Sequence, residues 1–91
     1  MEKITEEQLE AAKIQNEIEL CVEWIRTIPK ITTKINKDRT SYGYKHDVER
    51  HFNTYISNDS FKAAAKICGL MTKQATAQNE WYNLNFVNNK K

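Results

Sequence analysis

Apolar residues early in the chain recur at Ile14, Ile18, Cys21, Ile25 and Ile28, at spacings of four, three, four and three. That recurrence traces one face of an α-helix. Leu20, Val22 and Trp24 widen the face beyond a coiled-coil seam. The start is set by Thr5-Glu-Glu-Gln8, a capping box in which the Thr5 hydroxyl accepts from the Gln8 amide and the Gln8 side chain reaches back. Ile4 and Leu9 can close a hydrophobic staple around it, and Glu6 and Glu7 suit the positive end of the helix dipole. Pro29 stops the helix at about Ile28. The pattern therefore predicts a helix over about 5–28, long for a chain of 91 residues.

The period then changes. Residues 30–36, KITTKIN, set Ile31, Thr33 and Ile35 against Thr32 and Lys34, as in a short strand or extended connector. KDRTS, 37–41, reads as a polar turn. A second helix begins near Ser41, with Ser41 or Thr40 as its cap. Its inner face holds Tyr44, Val48, Phe52 and Tyr55 or Ile56. Ser57-Asn58-Asp59 is a break and a new cap. The third helix turns Phe61, Ala64, Ala65 and Cys68 inward and Lys62 and Lys66 outward, and ends at Gly69 with Leu70 folding back. Residues 71–80 form a loop or a short helix. WYNLNFV, 81–87, sets Tyr82, Leu84 and Phe86 against Asn83 and Asn85, a strand that needs a partner. The candidate partner is 30–36, and 88–91 is a frayed tail.

The expected fold is thus mainly α: a three-helix domain over 1–91 with a small two-stranded ribbon, an α+β arrangement being the alternative. Its core holds Ile14, Ile18, Ile25, Val48, Phe52, Phe61, Ala64, Ile67, Leu70 and Leu84, with Trp24 and Trp81 at the margins.

Composition supports helix, since two Gly and one Pro leave few forced turns. Cys21 and Cys68 sit at apolar helical positions, as small core residues do. With no neighbouring Cys or His at ligand spacing they make no zinc site. No apolar run approaches the roughly 20 residues that span a bilayer. The acidic, polar start is not that of a secretory signal. The expectation is a cytoplasmic protein with no membrane contact and no cofactor.

Charge is uneven. Residues 1–28 hold seven acidic and three basic side chains, and residues 29–91 hold five acidic and eleven basic. An acidic helix on a basic body points to an anionic partner, or to attraction between the two parts of one molecule. An apolar face too wide for so small a body also suggests a homodimer through helix 1.

The densest run of able side chains is Arg39 to Phe52. Asp47 and His51, at i and i+4, share a helical face and could orient an imidazole for general base work. His46 and His51 stand about 140° apart on a helix and cannot share a metal. Neither a phosphate loop nor a nucleophile elbow is present, so catalysis ranks last. Binding fits better. Lys30, Lys34, Lys37, Arg39 and Lys45 cluster, interleaved with Tyr42 and Tyr44, near a helix N-terminus, the ingredients of a phosphate contact. His46 and Arg50 share a face of the same helix and extend the candidate surface. A second feature lies in AAAKICGLMTKQATAQNEW, where Ala65 and Gly69 stand as in the first half of a helix-turn-helix. The second half departs, offering Ala75 and Gln78 where larger apolar residues belong.

SYGYKHDVERHF, YISNDSFKAAAKICGL and NEWYNLNF, in that order, resemble a core that recurs in small proteins of phages, prophages and other mobile elements. The pattern is Ser-Tyr-Gly-x-Lys-His, then Tyr-x-Ser-Asn-Gly-x-Phe-x-x-Ala-Ala, then a Gly and a short Asn-plus-aromatic segment. It spans about residues 40–86, with Asp59 where the pattern often carries Gly. That group has no established activity, so the resemblance implies origin more than chemistry. The expected function is a phage or mobile-element accessory protein that binds a host protein or nucleic acid, as in inhibition of a host defence factor. A helix-turn-helix-like DNA binder is the alternative.

Overall fold

The structure, a computed structural model, describes residues 5–85. Ile4, Phe86 and the expected tail 88–91 lie outside them. The order is α1 (Glu6–Thr27), β1 (Lys30–Thr40), α2 (Ser41–Phe52), α3 (Asn58–Ile67), β2 (Thr72–Gln74) and β3 (Glu80–Asn85). The three strands form one antiparallel sheet in the order β1-β3-β2, with the last strand in the centre. The fold is therefore α+β. Three helices carry 54% of the described residues and the sheet 25%, which overturns the mainly α reading with its two-stranded ribbon.

The overturned part is residues 71–80. Thr72, Lys73 and Gln74 pair with Tyr82, Trp81 and Glu80, adding a third strand. The turn between is held by Ala75 and Thr76 amides donating to the Asn79 carbonyl. So a β-hairpin follows Gly69 where a recognition helix would have to stand, and the helix-turn-helix pattern is not formed. Three polar residues carry no periodicity, so β2 left no signal.

Local chemistry sets the helix ends. Thr5 and Gln8 exchange both bonds of the capping box. Gly69, at φ 72°, closes α3: its amide reaches the Lys66 carbonyl and the Leu70 amide reaches that of Ala65. That is the Schellman arrangement. Thr40 occupies the cap position of α2 but makes no side-chain cap bond. The buried Ser41 hydroxyl instead accepts the Glu80 amide at 3.1 Å, stapling α2 to β3.

KDRTS is no turn. Residues 37–40 continue β1, Ser41 opens α2, and the pairing of β1 has two irregularities, between Ile31 and Asn36 and between Asn36 and Thr40. Short polar side chains compete there for the backbone. The Thr32 hydroxyl donates to the Lys34 carbonyl, and Asn36 Oδ1 accepts from the Asp38 amide. Where the ladder lapses, side chains replace it. Asn36 Nδ2 donates to the Leu84 carbonyl at 3.0 Å and Asn83 Nδ2 to that of Thr32 at 2.8 Å. Asn83 Oδ1 also accepts the Met71 amide, so one buried amide clamps both neighbours of the central strand.

The core is a cluster of four aromatic rings, one each from α1, α2, α3 and β3. Tyr44 and Phe61 stack at 5.6 Å between centroids, Trp24 lies 6.2 and 6.1 Å from them, and Tyr82 lies 5.6 Å from Phe61. Cys21, Ile25, Val48, Ile56, Ala64, Ala65, Leu70 and Leu84 surround it. Trp24, expected at the margin, is thus central. Ile14 and Ile67, expected inside, are 43% and 60% exposed. Ile67 stands about a third of a turn off the Phe61–Ala64–Ala65 face at roughly 100° per residue. Ile14 is uncovered because α1 lies chiefly on α3. With 22 residues against 10, the two helices are about 33 and 15 Å long. Every residue from Thr5 to Asn16 is exposed, and the molecule is correspondingly long, 51 × 30 × 19 Å.

Cys21 is fully buried and Cys68 half-buried. Burial, aided by Glu17 and Cys68, pushes the Cys21 thiol up to about 12. A thiol reagent at pH 8 should therefore modify at most one cysteine in the native protein and both in denaturant, since the thiolate is the reactive form. Mass spectrometry of the native and unfolded adducts checks this.

Candidate functional site

Helix α2 carries two charge clusters, each built around one carboxylate. In the first, Arg39 leaves the end of β1 and folds over the helix start. Its Nε and Nη2 each donate to Asp47 at 2.7 Å, a bidentate pair. Nη2 also reaches the Gly43 carbonyl, and the guanidinium stands 5.9 Å over the Tyr44 ring. Gly43 keeps this path open, because a Cβ there would meet Arg39 Cγ at 3.0 Å. Arg50 donates to the same carboxylate from the next turn. Asp47 is buried while both guanidinium groups reach solvent. Its hydrogen bond raises the Arg39 pKa further. His51 is not paired with Asp47; its ring lies edge-on to Phe52 at 4.7 Å, so the general-base arrangement does not form.

The second cluster centres on Glu49. It accepts from Lys45 Nζ at 3.0 Å, from the Ile56 amide at 3.1 Å, and faces His46 Nδ1 at 2.8 Å. Lys45 is buried between the rings of Tyr42 and Tyr55, at 5.5 and 5.0 Å, and Tyr42 meets His46 edge-on at 4.6 Å. Glu49 therefore joins α2 to the segment leading into α3. Burial raises its pKa, but the Ile56 amide, Lys45 and His46 outweigh this, and the net effect is a value below the usual 4.5. A carboxylate whose folded pKa is depressed adds stability above its unfolded pKa and loses it as pH falls through the folded one. The urea midpoint should fall between about pH 5 and pH 3, and Glu49→Gln should flatten that limb; unfolding curves read by circular dichroism at each pH check it.

These clusters change the meaning of the seven candidate residues. Arg39 and Arg50 are brought together, but on Asp47. Tyr42, Lys45 and His46 are brought together, but around Glu49. Each carboxylate offsets one positive charge, so the cations offer a phosphate less than the linear run suggests. Lys34 and Lys37 are not part of either cluster. Lys34 is exposed on β1, and Lys37 Nζ stands 5.4 Å over the Trp81 ring.

Two further surfaces escaped the sequence. One is a groove between α1 and the α2–α3 segment. It is lined by apolar Ile14, Ile18, Tyr55 and Ala63, by acidic Glu10, Glu17 and Asp59, and by Ser57 and Ser60. Glu17 also accepts from the Ser57 amide and the Ser60 hydroxyl, holding the start of α3 against α1. The apolar spacing of Ile14 and Ile18 was visible; that α3 would stop short of covering Ile14 was not. The other is the outer face of the sheet, where Lys73 pairs directly across from Trp81. Its signal was the polar side of WYNLNF, which carries a tryptophan among asparagines. Among the described residues no group of three or more His, Cys, Asp or Glu could hold a metal, and no helix is long and apolar enough to cross a membrane. No family model matches the chain, nor does any curated protein or solved structure.

Proposed function

We propose that this is an accessory protein of phage or mobile-element type that works by seating a segment of a host protein in the groove between α1 and the α2–α3 segment. The observation that carries this is the groove's chemistry: it is lined by apolar Ile14, Ile18, Tyr55 and Ala63 together with acidic Glu10, Glu17 and Asp59. An amphipathic helix laid in such a groove uses its apolar face for affinity and its charges for orientation. The acidic lining selects a basic segment. It also disfavours a second copy's α1, whose exposed stretch carries Glu6, Glu7 and Glu10 against Lys13. Basic, partly apolar segments are the working surfaces of proteins that handle nucleic acid. Covering one would disable a host defence nuclease by occlusion.

The test places a photo-crosslinking residue at Tyr55 and identifies what it captures in host lysate. The captured protein is then purified and its nucleic-acid cleavage measured with and without this chain. The reading predicts cross-links within a Lys/Arg-rich segment and a loss of cleavage. It also predicts that Ile14→Glu and Glu10→Lys plus Asp59→Lys each abolish capture while circular dichroism stays native. Capture indifferent to these substitutions, or an unaffected nuclease, overturns it.

A further inference from the structure

The outer face of the sheet is a separate surface. All helix contacts with the sheet come chiefly from α2, on the side where Tyr82 and Leu84 are buried. Successive residues of β3 alternate faces, so Trp81, Asn83 and Asn85 lie on the opposite side. Residues directly opposite across an antiparallel pair share a face. Lys73 is opposite Trp81, and Lys30 is opposite Asn85. Lys37 adds its ammonium over the Trp81 ring at 5.4 Å. Trp81 is half-buried, held at its base by both neighbouring strands.

The charges here differ from those on α2. Among the described residues, Lys30, Lys37 and Lys73 make no ion pair with a carboxylate. Glu80, the acidic residue of β3, turns the other way and accepts from the Tyr82 hydroxyl. Asn83 does not compete for a ligand, because its amide is spent on Thr32 and Met71. The face thus carries a tryptophan at one end, flanked by two unpaired lysines, and a third lysine about 14 Å along the strand at ~3.4 Å per residue.

We propose that this face binds single-stranded nucleic acid, with a base stacked on Trp81 and backbone phosphates on Lys37, Lys73 and Lys30. An aromatic ring set among unpaired cations on an open sheet is the physical requirement for such binding. Stacking needs a base whose π-face is free, which a duplex does not offer. Lys37 already samples the ring face and would exchange that contact for a phosphate. This surface lies on other elements than the α1 groove, and the proposal does not depend on the groove.

The probe is a fluorescein-labelled thymidine oligonucleotide of about 15 nucleotides, long enough for one such site. Its anisotropy is followed as the full chain is added at 50 to 300 mM salt, beside a duplex of equal length. Three lysine–phosphate contacts, at about −0.7 each, predict a slope of log K against log salt near −2. Trp81→Leu should weaken binding about tenfold or more, Trp81→Phe far less, and Lys37→Glu with Lys73→Glu should abolish it. Trp24 remains in Trp81→Leu, so its fluorescence reports whether that variant is folded. The single strand should bind more tightly than the duplex. Equal affinity for both, or a folded Trp81→Leu with unchanged affinity, would show a general basic surface only and overturn the proposal. So would a dimer, seen by sedimentation and lost in the lysine variant, in which a second copy's acidic α1 occupies the face and the oligonucleotide fails to displace it.

Discussion

Trp24→Ala should remove about a third or more of the stability of this protein. Trp24 is 1% exposed and touches Tyr44 and Phe61, the rings through which α2 and α3 meet. Replacing a buried tryptophan with alanine costs about 3–5 kcal/mol, transfer and cavity together. A domain of this size holds about 5–15 kcal/mol in all. The cavity would sit where four elements converge, so no single element can move to fill it. Urea unfolding followed by circular dichroism should show the midpoint falling by about a third or more. Ile14→Ala, by contrast, should stay within about 0.5 kcal/mol of wild type, as exposed positions do. A large loss at Ile14 and a small one at Trp24 would refute this account of the core.

Asp47→Ala should cost about 2 kcal/mol, the largest effect among the charged residues. It removes the acceptor for both guanidinium groups at once. Breaking a fully buried ion pair costs about 3–5 kcal/mol because the orphaned charge stays buried. Here the Arg39 side chain is 37% exposed and that of Arg50 67%, so both can turn to water and the loss is smaller. Arg50→Ala should be nearly neutral, as surface partners are. A double-mutant cycle of Asp47→Ala with Arg39→Met measures the pair itself, and a coupling above about 0.5 kcal/mol is expected. Zero coupling would mean that the Arg39 contact contributes nothing to the fold.

Both results bear on what a sequence can show. Signals held within one turn were legible: the Thr5–Gln8 box, the Pro29 stop, and Gly69 with Leu70 behind it. So was the alternation of Tyr82 and Leu84, because the apolar side chains of β3 share the face that packs on the core. What failed depended on a neighbour's length or position. The Ile14–Ile28 stripe looked uniform, but Ile14 and Ile28 at its ends are exposed while Cys21 and Ile25 between them are buried. Trp24 looked marginal because its rings of contact come from residues 20 and more positions away. The charged run of Arg39 to Arg50 looked free because ion pairing leaves no mark on a linear pattern. Helical spacing hinted at Lys45–Glu49, while Arg39–Asp47 crosses from strand to helix and required the fold.

Among the described residues the central strand is also the last, and this sets the order of events at the ribosome. Residues 30–40 leave the exit tunnel some forty residues before 80–85, the strand they must pair with. During that interval β1 is an unpaired edge, the kind of segment that captures strands from other nascent chains. Helices α1 and α3, which pack chiefly on each other, can begin to meet meanwhile, and Tyr82 completes their core when β3 arrives. Lysines at positions 30, 34 and 37 then have a second use. Spaced three and four apart along an extended strand, they repel a like strand from a neighbouring polysome until the chain's own partner arrives.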